Sequence, residues 1–189
     1  MGSKTANNTT NIASDPNGML ATVGGTAAAV GNNTAATGTV SAKIVDNPTV
    51  DIAMGSANFS AAAQSTDGSK PLAMADTSAG VTGADLAITK TMTNNTIDTT
   101  TAAATSETKY FALDIANWSP PAGSIQVDVN KTTSSTNGAY GTVPDGNYAN
   151  VSAGAEAIGS NSLVETSTGA LAVDNQFSAV HGAAVTAIA

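Results

Sequence analysis

The chain has 189 residues, with six basic and 14 acidic side chains, one His, no Cys and a formal net charge of −8. Every basic residue is Lys, so the clustered Lys and Arg that neutralise nucleic-acid phosphates are missing, as is the bidentate Arg clamp for phosphate or carboxylate substrates. Without Cys there is no disulfide framework, thiolate nucleophile or Cys-ligated metal, and no run approaches the ~18 apolar residues of a membrane-spanning helix.

Hydrophobic residues make up 41% of the chain, but aromatics only 4% and charged residues only 11%, against about a quarter charged in ordinary globular domains. Ala, Thr, Ser, Gly and Asn dominate. A core of Ala, Thr and Val contributes little area per residue, so at ~25 cal/mol per Å² the hydrophobic term is weak. Something besides bulky packing must help hold this chain.

Met1-Gly2-Ser3-Lys4 lacks the apolar segment of a signal peptide and reads as a leader ahead of a mature sequence, with residues 1–10 polar and disordered. Residues 11–189 read as one β-rich domain. From Asn11 to about Thr105 short apolar runs alternate with turn residues: Asn11-Ile12-Ala13, Leu20-Ala21-Thr22-Val23, Lys43-Ile44-Val45, Val50-Asp51-Ile52-Ala53 and Leu86-Ala87-Ile88-Thr89. Such runs predict strands. Asp15-Pro16-Asn17-Gly18, Gly24-Gly25, Asp67-Gly68, Asn137-Gly138 and Asp145-Gly146 predict turns. The Ala triplets within 60–64 and 101–105 fit single helical turns, Ala being the best helix former.

Residues 106–150 hold Tyr110, Phe111, Trp118, Tyr140 and Tyr148 and stand out as the segment able to nucleate a conventional core. Within it, 110–116 and the strictly alternating 124–130 predict two strands, separated by Pro120-Pro121-Ala122-Gly123. The short-run texture returns from Gly146 to Ala189. The expected fold is all-β: a β-sandwich or an irregular β-solenoid-like stack, completed by intersubunit strand pairing. Val50–Asn58, Leu113–Asn117 and Asn150–Gly154 repeat one another loosely, without the fixed period of a regular solenoid.

Two stretches carry a resemblance. Asn150-Val151-Ser152-Ala153-Gly154 followed by Asn161-Ser162-Leu163 is similar to the repeats of Fap-type bacterial functional amyloids and related biofilm adhesins. Ala157-Ile158-Gly159-Ser160 and Ala29-Val30-Gly31-Asn32 resemble the turns of trimeric autotransporter head repeats. The chain departs from the Fap pattern in lacking a C-terminal Cys-x-x-Cys, in having few Gln and in having no fixed repeat length. The resemblance implies a secreted bacterial β-rich assembly protein, located extracellularly or at the cell surface.

The chemistry-bearing residues are sparse. His181 is the only imidazole, which disfavours triads and zinc sites. Asp114, Asp128, Glu156 and Glu165 are the carboxylates a glycosidase pair would draw on, though solvated surface acids explain them as well. Asp128-Val129-Asn130-Lys131-Thr132 begins like a calcium loop, but Thr133 stands at position six where Gly belongs and Lys131 lies inside. Thr-x-Thr at 37/39, 89/91/93, 99/101 and 166/168 would give an ice-binding face if its spacing were regular, which it is not; Thr is also simply a good strand former.

The reading that follows is a non-enzymatic structural subunit, self-associating into a fibre with no cofactor, nucleic-acid partner or membrane span. Its expected donor or edge strands are the nearly uncharged, small-sided segments 12–23 and 173–189, with Ile12, Leu20, Val23, Val173, Phe177, Val180, Val185 and Ile188 as assembly residues. The alternative is a monomeric secreted adhesion module, calcium-stabilised or ice-binding, that contacts a carbohydrate or other surface through 106–150.

Overall fold

The computed structural model describes residues 18–118, 120, 123–135, 143 and 145–189. Among them there is no helix. Ten strands follow in chain order: β1 (Met19–Val30), β2 (Asn33–Val45), β3 (Val50–Gln64), β4 (Leu72–Thr82), β5 (Leu86–Ile97), β6 (Thr101–Ile115), β7 (Ile125–Ser135), β8 (Asn147–Ile158), β9 (Leu163–Val173) and β10 (Phe177–Ile188). They form a four-stranded sheet in the order β4-β1-β10-β9 and a six-stranded sheet in the order β7-β5-β6-β3-β2-β8. The two sheets pack face to face as a sandwich, not as a solenoid. All neighbours are antiparallel except β2 with β8 and β5 with β7, which run parallel.

Alternation explains the strands. In β3 the buried positions are Ala53, Ala57, Phe59, Ala61 and Ala63, and in β1 Met19, Ala21, Val23, Ala27 and Ala29, the period of two that puts one face of a strand on a core. Most of the buried core is alanine. The Ala triplets are strands as well: Ala61, Ala62 and Ala63 of β3 face Ala104, Ala103 and Ala102 of β6. Helix propensity loses here to cross-strand pairing within a buried sheet, where context outweighs intrinsic preference.

Gly24-Gly25 is not a turn but the middle of β1, paired on both sides. The reason is Phe59, which is fully buried. A Cβ built on Gly25, Gly38 or Gly182 would come within 2.6, 2.4 and 3.3 Å of its ring. Three glycines from three strands therefore make the space for one large side chain. Tyr110 uses the same device against Gly55, its cross-strand partner.

The aromatic core thus lies elsewhere than the 106–150 segment as a whole. Of that segment's described aromatics only Tyr110 is buried; Phe111, Trp118 and Tyr148 are on the surface, and Tyr140 lies outside the described residues. The Tyr110 hydroxyl is pushed up to about 12 by burial, with the nearby Thr186 hydroxyl acting in the opposite sense. Neither hydroxyl makes a hydrogen bond of ordinary geometry.

Elsewhere the interior hydroxyls are well partnered. Thr77 of β4 bridges the sheets to Ser106 and Thr108 of β6, at 2.7 Å each, and Thr91 of β5 joins Thr108 at 2.8 Å. Thr34 meets Ser178 at 2.7 Å between β2 and β10. Satisfied hydroxyl pairs of this kind contribute ~1 kcal/mol each and supply part of what the small core lacks.

The turns follow local chemistry. Asp67 accepts from the Ser65 hydroxyl and the Ser69 amide, and Asn32 accepts from the Thr66 amide, which fixes the β3–β4 loop. Asn161 and Asn175 take positive φ in the β8–β9 and β9–β10 turns, a conformation Asn tolerates better than most residues.

Candidate functional site: the open strand edges

Among the described residues four strands pair on one side only: β4 and β9 in the smaller sheet, β7 and β8 in the larger. Edge strands normally carry Lys, Pro or bulges against unwanted pairing. Here β4 carries one charge, Asp76, β8 only Glu156 and β9 only Glu165, while β7 has Asp128 and Lys131; none contains Pro. Glu156 is occupied by Lys43 of β2 at 2.9 Å.

The assembly residues expected from sequence are placed differently. As edge strands, residues 19–23 and 177–188 of the segments 12–23 and 173–189 are overturned: they lie in β1 and β10, the two central strands of the smaller sheet. Val23, Val180 and Ile188 are buried in its core. Leu20 opposes Ala187, and Thr22 opposes Val185. Phe177 pairs with Val30 on one side and Val173 on the other. Ile12 lies outside the described residues. The absence of charge in these strands reflects neighbours on both flanks, not an exposed edge. Deleting 173–189 would remove a central strand and so tests folding, not assembly.

The two sheets are unequal in width, and this creates a cleft. β4 lies against β6, β1 against β3, β10 against β2 and β8, and β9 against β8. β5 and β7 extend beyond β4 as a ledge, and β7 is exposed along its whole length. Register places Thr89, Thr91 and Thr93 of β5 opposite Asp128, Asn130 and Thr132 of β7. These six side chains, Lys131 and the edge of β4 at Thr77, Ser78 and Ala79 enclose about 420 Å³.

The opposite face of the ledge is apolar. Met54, Phe111, Ile88 and Val127 stand in one cross-strand row over β3, β6, β5 and β7, each about 40% exposed. Ile52, Leu113, Leu86 and Ile125 form the adjoining row. Contiguous exposed apolar rows of this kind mark interaction surfaces more often than scattered single residues do. The sequence did not single them out, because the strand pairing that aligns them is long-range.

The remaining candidates are dispersed. Asp128-Val129-Asn130-Lys131-Thr132 is regular strand in β7, which removes the calcium-loop geometry that its sequence suggested. Among the described residues no group of three or more His, Cys, Asp or Glu is arranged to hold a metal ion. Asp114, Asp128, Glu156 and Glu165 lie on β6, β7, β8 and β9 and do not converge. The Thr-x-Thr pairs do not form one array: Thr91 and Thr93 face the sandwich interior, and Thr37 is bonded to Ser60 across β2–β3. His181 is exposed on β10, its Nε2 3.3 Å from the Ser167 hydroxyl.

One titratable cluster is notable. Asp51 and Asp114 are cross-strand partners, and Asp85 sits beside them, accepting from the Ile115 amide at 2.9 Å. Burial first, then the charge of Asp85 and a hydrogen bond with it, push Asp114 up to about 6; burial also raises Asp51. Burial and the neighbouring carboxylates both favour the neutral acid at Asp114.

A carboxyl raised in the fold stabilises it fully below its unfolded value of 3.8, and that contribution is lost as pH rises through about 6. Asp67, held below the usual range by the Ser69 hydroxyl and amide, acts in the opposite sense and only at lower pH. The thermal midpoint is therefore expected to fall between pH 4 and pH 7, and Asp114→Asn to flatten that dependence and raise the midpoint at pH 7. A midpoint of wild type that is flat or rises over this window would contradict the assignment.

Comparison with protein-family models, curated proteins and solved structures finds no match for this chain. Its class is that of a two-sheet β-sandwich. No helix among the described residues is long and apolar enough to cross a membrane.

Proposed function

We propose that this chain is a structural subunit of an extracellular or cell-surface fibre, assembling by β-strand pairing between copies and carrying no catalytic chemistry. The observation that supports it best is that, among the described residues, four strands have one unpaired edge each, β4, β7, β8 and β9, guarded by few charges and no Pro. Free backbone edges of this kind template addition of a further strand, in which main-chain hydrogen bonds give affinity and alternate side chains give specificity. A small-residue core makes such pairing thermodynamically useful, because interchain backbone bonds add to a weak hydrophobic term. Extracellular placement rests on the low charge and the Thr, Asn, Ser and Gly richness of the sequence.

A second reading, a monomeric adhesion module, is favoured by the apolar row Met54, Phe111, Ile88 and Val127. Light scattering behind size-exclusion chromatography, followed by negative-stain microscopy, separates the two. A mass that grows with concentration, and filaments, are expected. A concentration-independent monomer of 18.4 kDa would overturn the fibre reading and leave the adhesion module.

A further inference from the structure

Building on the fibre reading, which supplies assembly between copies, the two outer faces of the sandwich add a contact at right angles to the strand edges. On the larger sheet Val45 and Ile158 extend the row of Ile52, Leu113, Leu86 and Ile125, so one apolar row crosses all six strands. With the neighbouring row of Met54, Phe111, Ile88 and Val127 it forms a band at the Val45 end of β2. The smaller sheet has a band of its own. Leu72, Val30, Phe177 and Val173 align across its four strands, and Met74, Ala28, Ala179 and Leu171 align beside them. Alternation turns these side chains away from the core, and Val30, Leu72, Met74 and Leu171 are about half exposed. A two-residue turn joins Val30 to Asn33, and Thr34 is bonded to Ser178. This second band therefore lies at the Asn33 end of the sandwich, opposite the first.

The geometry points to a second copy of this chain as the partner: the outer face of the smaller sheet in one copy packs on the outer face of the larger sheet in the next, the two copies running in opposite directions. Because the bands lie at opposite ends, that orientation brings band onto band with the faces fully overlapped. Four strands ~4.8 Å apart, of 11 or 12 residues each, give a footprint of ~700 Å², close to the ~800 Å² per partner of a standard interface.

Charge and shape agree with this pairing. Within its strands the smaller face carries two acids, Asp76 and Glu165, and no Lys; neither acid makes an ion pair among the described residues. The larger face carries Lys43, Lys90 and Lys109, with Lys131 at its β7 rim. Glu156 and Glu107 occupy Lys43 and Lys109, whereas Lys90 and Lys131 make no ion pair among the described residues. Lys90 also stands directly opposite Lys109, a like-charge arrangement that an anion laid on the face relieves. Two uncompensated cations thus meet two uncompensated anions. The smaller face sinks beside its band into a hollow of about 330 Å³ whose lining includes Gly24, Asp76 and His181. Asp76 lies two residues beyond Met74, and Lys90 lies two residues beyond Ile88, so the acid of the hollow and the projecting lysines occupy corresponding rows. The two faces differ, so the contact is heterologous and repeats: it stacks copies along the sheet normal, while edge pairing extends them within the sheet plane.

Ile88→Glu blocks the larger face and Met74→Glu the smaller, both at exposed positions where an unchanged circular dichroism spectrum and thermal midpoint are expected. Under negative-stain microscopy wild-type filaments should be several sandwiches thick, and filaments of either variant one sandwich thick. Variant filaments grown separately and then mixed should pair to two, because each kind retains the face that the other lacks. Lys90→Glu, outside the apolar band, should raise the concentration needed for stacking several-fold. Wild-type filaments of single thickness, variants as thick as wild type, or Ile88→Glu filaments that pair among themselves would overturn the stacking and leave the fibre reading standing. Concentration-dependent complexes without filaments, lost in both variants, would support the stacking and overturn edge pairing. A wild-type chain that stays monomeric at every concentration would overturn both.

Discussion

Phe59→Ala is expected to lower the free energy of unfolding by ~3–5 kcal/mol, the range for removing a fully buried Phe when its surroundings cannot collapse. Collapse is hindered here in a specific way. The ring is lined by Gly25, Gly38 and Gly182, which have no side chains to move into the void, and the surrounding core is mostly alanine. A domain of ordinary stability has only ~5–15 kcal/mol to lose, so the variant sits near the folding threshold. Urea denaturation followed by circular dichroism measures the difference. A loss below ~1.5 kcal/mol would mean that Phe59 does not organise the contact between the sheets.

Gly25→Ala is the second large effect, and it works from the opposite direction. Its Cβ would stand 2.4 Å from the Asp76 carbonyl oxygen, 2.6 Å from Phe59 Cδ2 and 2.8 Å from Thr77 Cγ2. The first of these is backbone of the neighbouring strand β4, so relief requires β4 to shift, not a side chain to rotate. Overpacking of a tight site costs ~1–3 kcal/mol, and the backbone displacement places this one at the upper end. Gly154→Ala on the edge strand β8 is the control, because nothing lies within 4 Å of its added Cβ. It is expected to be neutral or stabilising by ~0.5–1 kcal/mol, through loss of glycine's backbone freedom in the unfolded chain. Equal effects in the two variants would show that composition, not close approach, governs the glycines.

Under the proposed fibre function, the Gly25 effect bears on assembly as well as stability. Asp76 and Thr77 belong to the strand whose free edge borders the cleft, and Thr77 is tied to Ser106 and Thr108 beneath it. A displaced β4 alters the edge on which a neighbour would pair. The same substitution is therefore expected to weaken filament formation even under conditions where the monomer remains folded.

Much of the architecture was legible in local patterning. The alternation in 124–130 and in Val50–Ala53 is strand in the structure, and Asp67-Gly68 is a turn, because period-two burial and turn chemistry act within a few residues. Low charge and scarce aromatics announced a small-residue core. The Ala triplets and Gly24-Gly25 were read as helical turns and as a turn, since isolated Ala favours helix and paired Gly favours bends. Their roles as strand interior depend on partners far away in sequence: Ala61 meets Ala104, and Gly25 makes room for Phe59.

What the sequence determined by itself is therefore the class: an all-β chain with weak internal packing and many pairing-competent strands. Only the tertiary structure decided which strands are edges, because edge status is a property of sheet order and not of a segment's composition. The uncharged β1 and β10 proved central, and the polar β7 proved to be an edge strand, exposed along its whole length. The unequal width of the two sheets, which leaves β5 and β7 projecting past β4 and lines up Met54, Phe111, Ile88 and Val127, likewise arises from long-range register that no local pattern encodes.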